Sequence, residues 1–210
     1  MIGTSLRVLD EVGLDGLTLR RLAVGLDVKA QALYWHFTNK QELLDHMAHA
    51  MTLPWMEDVC TGSGGRRWDD WLAEVARSYR TLLLSHRDGA RLVAGTQPLP
   101  ESLPLLDGSI AAVQESTGCG PGEALRWLTT LIAFVRGFVL DEHAELLRAQ
   151  EHPAAGTGLD AGQVPLSAPQ DVPHLAAAIN DVGPPDGEDT FEYGLALIIA
   201  GIRATLEPRP

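Results

Sequence analysis

The 210-residue sequence predicts an all-α protein in two parts, a small N-terminal helical domain over residues 1–45 and a larger helical domain over 46–210. Three observations carry that prediction. Apolar residues recur at helical spacing almost throughout, no period-2 run of useful length is present, and no Asn-Gly or Asp-Gly pair joins two alternating stretches.

The elements follow in order. "SLRVLDEVG" places Leu6, Leu9 and Val12 on one face and stops at Gly13, a residue suited to end a helix. Thr18 is placed to cap a second helix in "LTLRRLAVGL". After a turn, a third helix is expected over about 30–37. "TNKQELLDHMAHAM" opens a fourth, where Thr38 with Gln41 and Asn39 with Glu42 both have the spacing of a capping box. Pro54 is expected to kink or end it, since proline lacks the amide hydrogen. A long helix fits "RRWDDWLAEVARSYRTLLLSHR", with Trp68, Trp71, Leu72, Val75, Tyr79 and Leu82 at helical spacing. "DGARLVAG" reads as a short helix bounded by glycines, and "QPLPESLP" as a break in the chain.

Pro121 suits the first position of the helix in "GPGEALRWLTTLIAFVRGFVLDEHAELLRAQ". Residues 153–173, with Pro153, Pro165, Pro169, Pro173 and three glycines, read as a loop. "DTFEYGLALIIAGIRATL" closes the chain, with Asp189 as cap and Glu192 three residues on. The helices over 122–150 and 190–206 are apolar on more than one face, so each is either central or half covered by a partner. Ile198 and Ile202 are placed on that covered face.

Composition narrows the function. A hydrophobic content of 45% supports a real core, and no apolar run reaches the roughly 18–20 residues of a membrane span. The N-terminus lacks the features of a secretory signal, and the two cysteines, Cys60 and Cys119, form no CxxC, so a reduced cytoplasmic protein is expected. HExxH, GxSxG, a Walker loop and a dinucleotide fingerprint are all absent, which argues against an enzyme and against a cofactor. His46 and His49 have a metal-compatible spacing but no further convergent ligands. His86 and Asp88, in "SHRDG", suit hydrogen-bonding roles at a helix end.

The formal net charge is −12, yet its distribution is uneven. Between Leu19 and Gln41 stand Arg20, Arg21, Lys29 and Lys40 against Asp27 alone; four cations and one acid give +3, leaving −15 for the remainder. A basic patch on an acidic body steers polyanions to one face. In the same window Tyr34, Trp35, His36 and Phe37 are adjacent, and successive helical residues point about 100° apart, so some of these rings face outward.

Three short helices with a tight turn before the third predict a helix-turn-helix reader of DNA. Val28 and Leu33 are expected to face inward, with Phe37 and one face of Tyr34. Ala30, Gln31, Ala32, Tyr34, Trp35 and His36 would face the groove. Gln suits adenine, Ala methyls suit thymine, and Tyr, His and Lys suit phosphates.

The stretch "LYWHFTNKQELLD" resembles the signature of the tetracycline repressor (TetR) family. "LLLSHRDGARLVAGTQP" and "FEYGLALIIAGIRATL" are similar to its ligand domain, so the resemblance spans most of the chain. It implies a homodimer whose two readers occupy successive major grooves of a palindromic operator. The C-terminal domains would hold a small-molecule pocket and pair through a four-helix bundle. On this resemblance Leu19 and Arg20 contact DNA at the start of the second helix, residues Ala30 to His36 form the recognition helix, and Lys40 anchors a phosphate. Asp27 stands where the family usually has a glycine, at a cost of about 1 kcal/mol for a left-handed backbone. The basic arm that many members carry before the first helix is absent or shortened.

The family's magnesium-ligating histidine corresponds to Val93, Thr96 is kept, Gln97 replaces an arginine, and Asp141 stands where a glutamate acts through water. Valine coordinates no hard cation. The expected ligand site is therefore metal-free and formed by Tyr79, Val93, Thr96, Gln97, Leu125, Leu128, Ile132 and Asp141, taking a small apolar or aromatic inducer. Arg136 pairs either with an acid of its own or the partner chain, or with an anionic ligand. The expected function is a ligand-responsive repressor; the alternative is a small-molecule carrier that kept the fold without DNA regulation.

Overall fold

The computed structural model describes residues 2–33, 35–151, 173–182 and 187–206. Among these every regular element is helical: α1 (Ile2–Gly16), α2 (Leu19–Gly25), α3 (Ala30–Leu33), α4 (Lys40–Cys60), α5 (Trp68–Leu84), α6 (Gly89–Ala94), the 3₁₀ turn η1 (Pro100–Ser102), α7 (Leu103–Thr117), α8 (Pro121–Glu151), α9 (Pro173–Val182) and α10 (Glu188–Leu206). Tyr34, the Ala30 side chain and residues 153–172 of the expected loop lie outside the described residues.

Local chemistry sets most boundaries. Gly13 takes φ 70° and breaks α1 one turn before its end. The Thr18 hydroxyl accepts from the Arg21 amide at 3.2 Å and starts α2. Asp27 adopts the left-handed region, φ 53°, in the turn toward α3. Asn39 Oδ1 accepts from the Glu42 amide at 2.9 Å, and the Glu42 carboxylate accepts in return from the Thr38 amide at 2.6 Å. The box is thus the Asn39–Glu42 pair, with its return arm one residue upstream.

Other elements depart from expectation. The third helix is a single turn, not a helix over 30–37; beyond it the Trp35 and His36 amides donate in tighter turns, three residues back, to the Ala32 and Leu33 carbonyls, and the Phe37 amide also donates to Leu33. Pro54 does not end α4, which continues to Cys60. Proline removes one backbone bond, while Met47, Met51, Met56 and Val59 stay buried along the helix, and their burial outweighs that loss at roughly 1.5–3 kcal/mol per side chain. The proline-rich break at 97–104 holds η1 and the start of α7, an entire helix the periodicity did not reveal. Proline at a helix's first positions gives up an amide that has no partner there anyway. Pro173 likewise begins α9 and is no part of a loop. Asp189 lies inside the first turn of α10, where its charge meets the helix's positive end, instead of capping it.

The body is built on α5, α8 and α10. Trp71, Leu72 and Val75 meet Leu131, Val135 and Val139, with Phe191 and Leu195 closing the layer. Phe134 stacks on Phe191 at 5.4 Å, and Gly194 makes room for it: a Cβ there would sit 2.7 Å from the Phe134 ring. Arg80 pairs with Glu142 at 2.5 Å and with Glu188, its guanidinium 4.6 Å from the Phe191 ring centre. The buried Asp69 receives Arg67 at 2.7 Å and Arg203 at 2.5 Å; the Arg67 hydrogen bond first, then that from Arg203, hold its carboxyl well below the usual carboxylate range against the opposing effect of burial.

On the outer side, α10 exposes Tyr193 and Leu197, 68% and 57% accessible, with Ala200, Gly201 and Ala204 continuing the stripe. Ala133 and Gly137 form a similar small-residue stripe on α8. Ile202 is buried and Ile198 packs against the core, so the two isoleucines lie on the opposite side of α10 from the one expected. Among the described residues no helix is long and apolar enough to cross a membrane.

Candidate DNA reader and ligand cavity

The reader is a small core with a polar rim. Val8, Leu9, Leu17, Leu22, Leu33, Phe37 and Leu43 are buried, which fixes α1, α2 and the α3 turn against α4. Phe37 meets the His46 ring edge-on at 5.5 Å. Arg20, Gln31, Trp35, His36 and Lys40 are exposed, Trp35 at 86%, whereas Leu19 and Ala32 are half-buried. Val28 is 40% exposed and does not face inward with Leu33. It precedes the one-turn α3 and belongs to the turn, its amide donating to the Ala23 carbonyl at 3.0 Å. Lys29 is exposed beside it, so the rim carries cations from α2, the turn and α4.

The helix α6 fastens this reader to the body. Asp88, buried and left-handed at φ 59°, accepts the Leu14 amide at 2.7 Å and Arg91 Nη1 at 3.1 Å. Gly13 permits that approach, since a Cβ at its positive φ would lie 2.9 Å from Asp88 Oδ2. Arg91 reaches Asp15 at 2.9 Å, the Arg87 amide donates to Asp10 at 3.0 Å, and His86 Nδ1 lies 3.1 Å from the same carboxylate. At the other end of α6, Gln41 Nε2 donates to the Gly95 carbonyl at 2.8 Å and the Gln97 amide to Asp45 at 3.3 Å. His86 and Asp88 therefore do form hydrogen bonds at a helix end, and the bonds cross to the reader.

Next to α6 the body encloses a cavity of about 400 Å³, walled by α4, α5, α6, α7 and α8. Tyr79, Val93, Thr96, Gln97, Leu125, Leu128 and Ile132 all line it; Asp141 is exposed on α8 and does not. Sequence reasoning missed His49, Trp55 and Ser102 in the wall, and Arg136 lines it as well, the place its reading as a partner for an anionic ligand requires. The row Ala48, Thr52, Trp55 and Val59 has helical spacing and pointed to an inner face of α4. Trp55 stacks on Tyr79 at 4.5 Å and donates to Ser78 Oγ at 3.1 Å. His49 Nδ1 is 2.8 Å from Ser102 Oγ, which gives that histidine a partner other than a metal.

Burial pushes the Tyr79 phenol up to about 12, with the positive charge of Arg136 partly opposing it. The phenol is therefore a hydrogen-bond donor at neutral pH. The Thr96 hydroxyl donates to the Val93 carbonyl at 3.1 Å and keeps its lone pairs for an incoming donor. No three His, Cys, Asp or Glu side chains among the described residues are placed to hold a metal ion, and Val93 offers the cavity no lone pair.

A three-helix reader clamped by one helix to a body with a ligand-sized cavity defines a helix-turn-helix regulator that carries both functions in one chain. The profile described as bacterial regulatory proteins of the tetR family matches residues 2–47, and that of the tetracyclin repressor-like C-terminal domain matches residues 61–206. The chain belongs to the tetracycline repressor (TetR) family. A class A tetracycline repressor from transposon 1721 of Escherichia coli is 40% identical over 205 residues, spanning 96% of this chain and 88% of the relative. A possible TetR family transcriptional regulator from Streptomyces coelicolor A3(2) superposes with a TM-score of 0.80 at 39% identity, covering 97% of both chains. A class A TetR in complex with 5a,6-anhydrotetracycline and magnesium superposes at 0.68 with 33% identity, over 97% of this chain and 95% of that one.

Proposed function

We propose that the protein is a transcriptional repressor that binds a palindromic operator as a homodimer and releases it when a small molecule fills the cavity. The observation that carries this reading is the double duty of α6. Val93, Thr96 and Gln97 form cavity wall, while Asp88, Arg91, Gly95 and the Gln97 amide hold α1 and α4 of the reader. A ligand that prefers one position of α6 biases the reader by the difference in its affinity for the two states.

Exposed Arg20, Gln31, Trp35, His36 and Lys40 supply the duplex contacts, phosphates through the cations and base edges through Gln31. The uncovered stripes of α8 and α10 supply the subunit contact, their small residues allowing two backbones to approach. The ligand is largely apolar or aromatic and binds without a metal, because Trp55, Leu128 and Ile132 select shape and Tyr79, Thr96 and Gln97 orient it.

Operator fragments selected from random duplexes test the reading, titrated with protein before and after addition of an inducer found by thermal-shift screening. Wild-type protein is expected to release the fragment. The double variant Gln41→Ala, Arg91→Ala should bind both DNA and ligand yet release at least tenfold less readily. Full release by that variant would remove α6 as the coupling element.

A further inference from the structure

We propose that the ligand of the cavity is a ring compound bearing one carboxylate, and that Arg136 of α8 is its counter-ion. The proposal rests on the reading of the cavity as the inducer site and names the chemistry that site selects. Arg136 lies on the same face of α8 as Leu125, Leu128 and Ile132, at helical spacing, and lines the cavity with them. It is half-buried, yet it makes no hydrogen bond or ion pair with any described residue. Four other arginines of the body behave differently: Arg77 holds Glu192, Arg80 holds Glu142, Arg91 holds Asp15 and Arg203 holds Asp69.

No aspartate or glutamate is among the described lining residues, so the charge of Arg136 is not neutralised from within the cavity. A guanidinium stays charged at any physiological pH, and withdrawing it from water without an acid is costly. Its planar fork matches a carboxylate through two parallel hydrogen bonds. Apolar walls weaken screening, so one half-buried charge beside them favours an acid over its neutral isostere. Tyr79 lines the same wall, and its hydroxyl makes no hydrogen bond with a described residue, which leaves it available as a further donor to the anion. The stacked Trp55–Tyr79 pair offers flat surface for the ring.

The test uses the full-length protein and two matched probes, anthracene-2-carboxylate and anthracene-2-carboxamide, in calorimetric titrations at pH 7.5. Wild type is expected to bind the acid at least tenfold tighter than the amide. Arg136→Met should erase that preference while leaving the amide's affinity within about twofold, and Arg136→Lys should keep part of it. Should Arg136→Met fail to fold, Tyr79→Phe provides the second reading, with the acid weakened more than the amide. Equal affinity of wild type for both probes would overturn the proposal and leave the cavity reading standing. Failure of both probes to bind at millimolar concentration would overturn the two together. Loss of the dimer by Arg136→Met in sedimentation without ligand would overturn the proposal as well, because the arginine would then serve the subunit contact.

Discussion

Gln31 and Lys40 are both exposed on the reader rim, but their chemistry separates their effects. A neutral amide reads a base edge, so Gln31→Ala should relax preference at one base pair per half-site, by about 1–3 kcal/mol, in mobility-shift titrations across substituted operators. An ammonium neutralises a phosphate, so Lys40→Ala should weaken all sequences alike and reduce the salt slope by roughly one counterion per reader. A second residue-scale prediction concerns Val93, which lines the cavity without a lone pair. Magnesium–tetracycline should bind wild type poorly, and Val93→His should gain chelator-sensitive binding in calorimetry. At this scale the exposed residues of the rim were legible, because charge and exposed aromatics leave a mark in the sequence, whereas much of the cavity wall, including all of its α4 and α7 residues, was not. Val28 was not, since its placement depends on where a one-turn helix begins. Arg136 was legible as an anomaly, but its lack of an acidic neighbour is a property of the folded chain.

Among the elements, α10 carries two faces with different consequences. Leu197 belongs to the open stripe, so Leu197→Glu should yield a folded protein of half the mass in sedimentation, with helical circular dichroism kept. Ile202 is 5% exposed, so Ile202→Glu should unfold the body, by the several kcal/mol that an unpaired buried charge costs. The clamp between α5 and α10 depends on acid. The pKa of Asp69 is lowered on folding, chiefly by the Arg67 hydrogen bond, so its contribution is present above the unfolded value near 4 and is lost as pH falls below it. Asp69→Asn should flatten that acid limb in thermal melts and cost about 1–2 kcal/mol at neutral pH, a modest figure because both arginines are largely solvated. Helix identity was readable wherever apolar spacing ran for several turns. It failed at α7 and α9, where prolines occupying first-turn positions look the same in sequence as prolines that interrupt a chain.

For the whole molecule, the arrangement that matters is one helix shared between two bodies. The first half of α4 supports the reader through Leu43 and Met47, and its second half lies in the cavity wall through Thr52, Trp55 and Met56. Pro54 stands between Thr52 and Trp55. Having no amide hydrogen, it leaves the Ala50 carbonyl without its usual helical donor, and the Thr52 hydroxyl is meanwhile drawn to the Ala48 carbonyl at 2.9 Å. With one backbone bond missing, Pro54 is the least braced point of α4, and it lies within the stretch that walls the cavity. Lys40 lies fourteen residues upstream, a lever arm of about 21 Å at 1.5 Å per residue. On the proposed function, each 10° of bending at Pro54 would carry the rim sideways by roughly 3–4 Å, a displacement that two readers locked to grooves one helical turn apart would have no means to absorb.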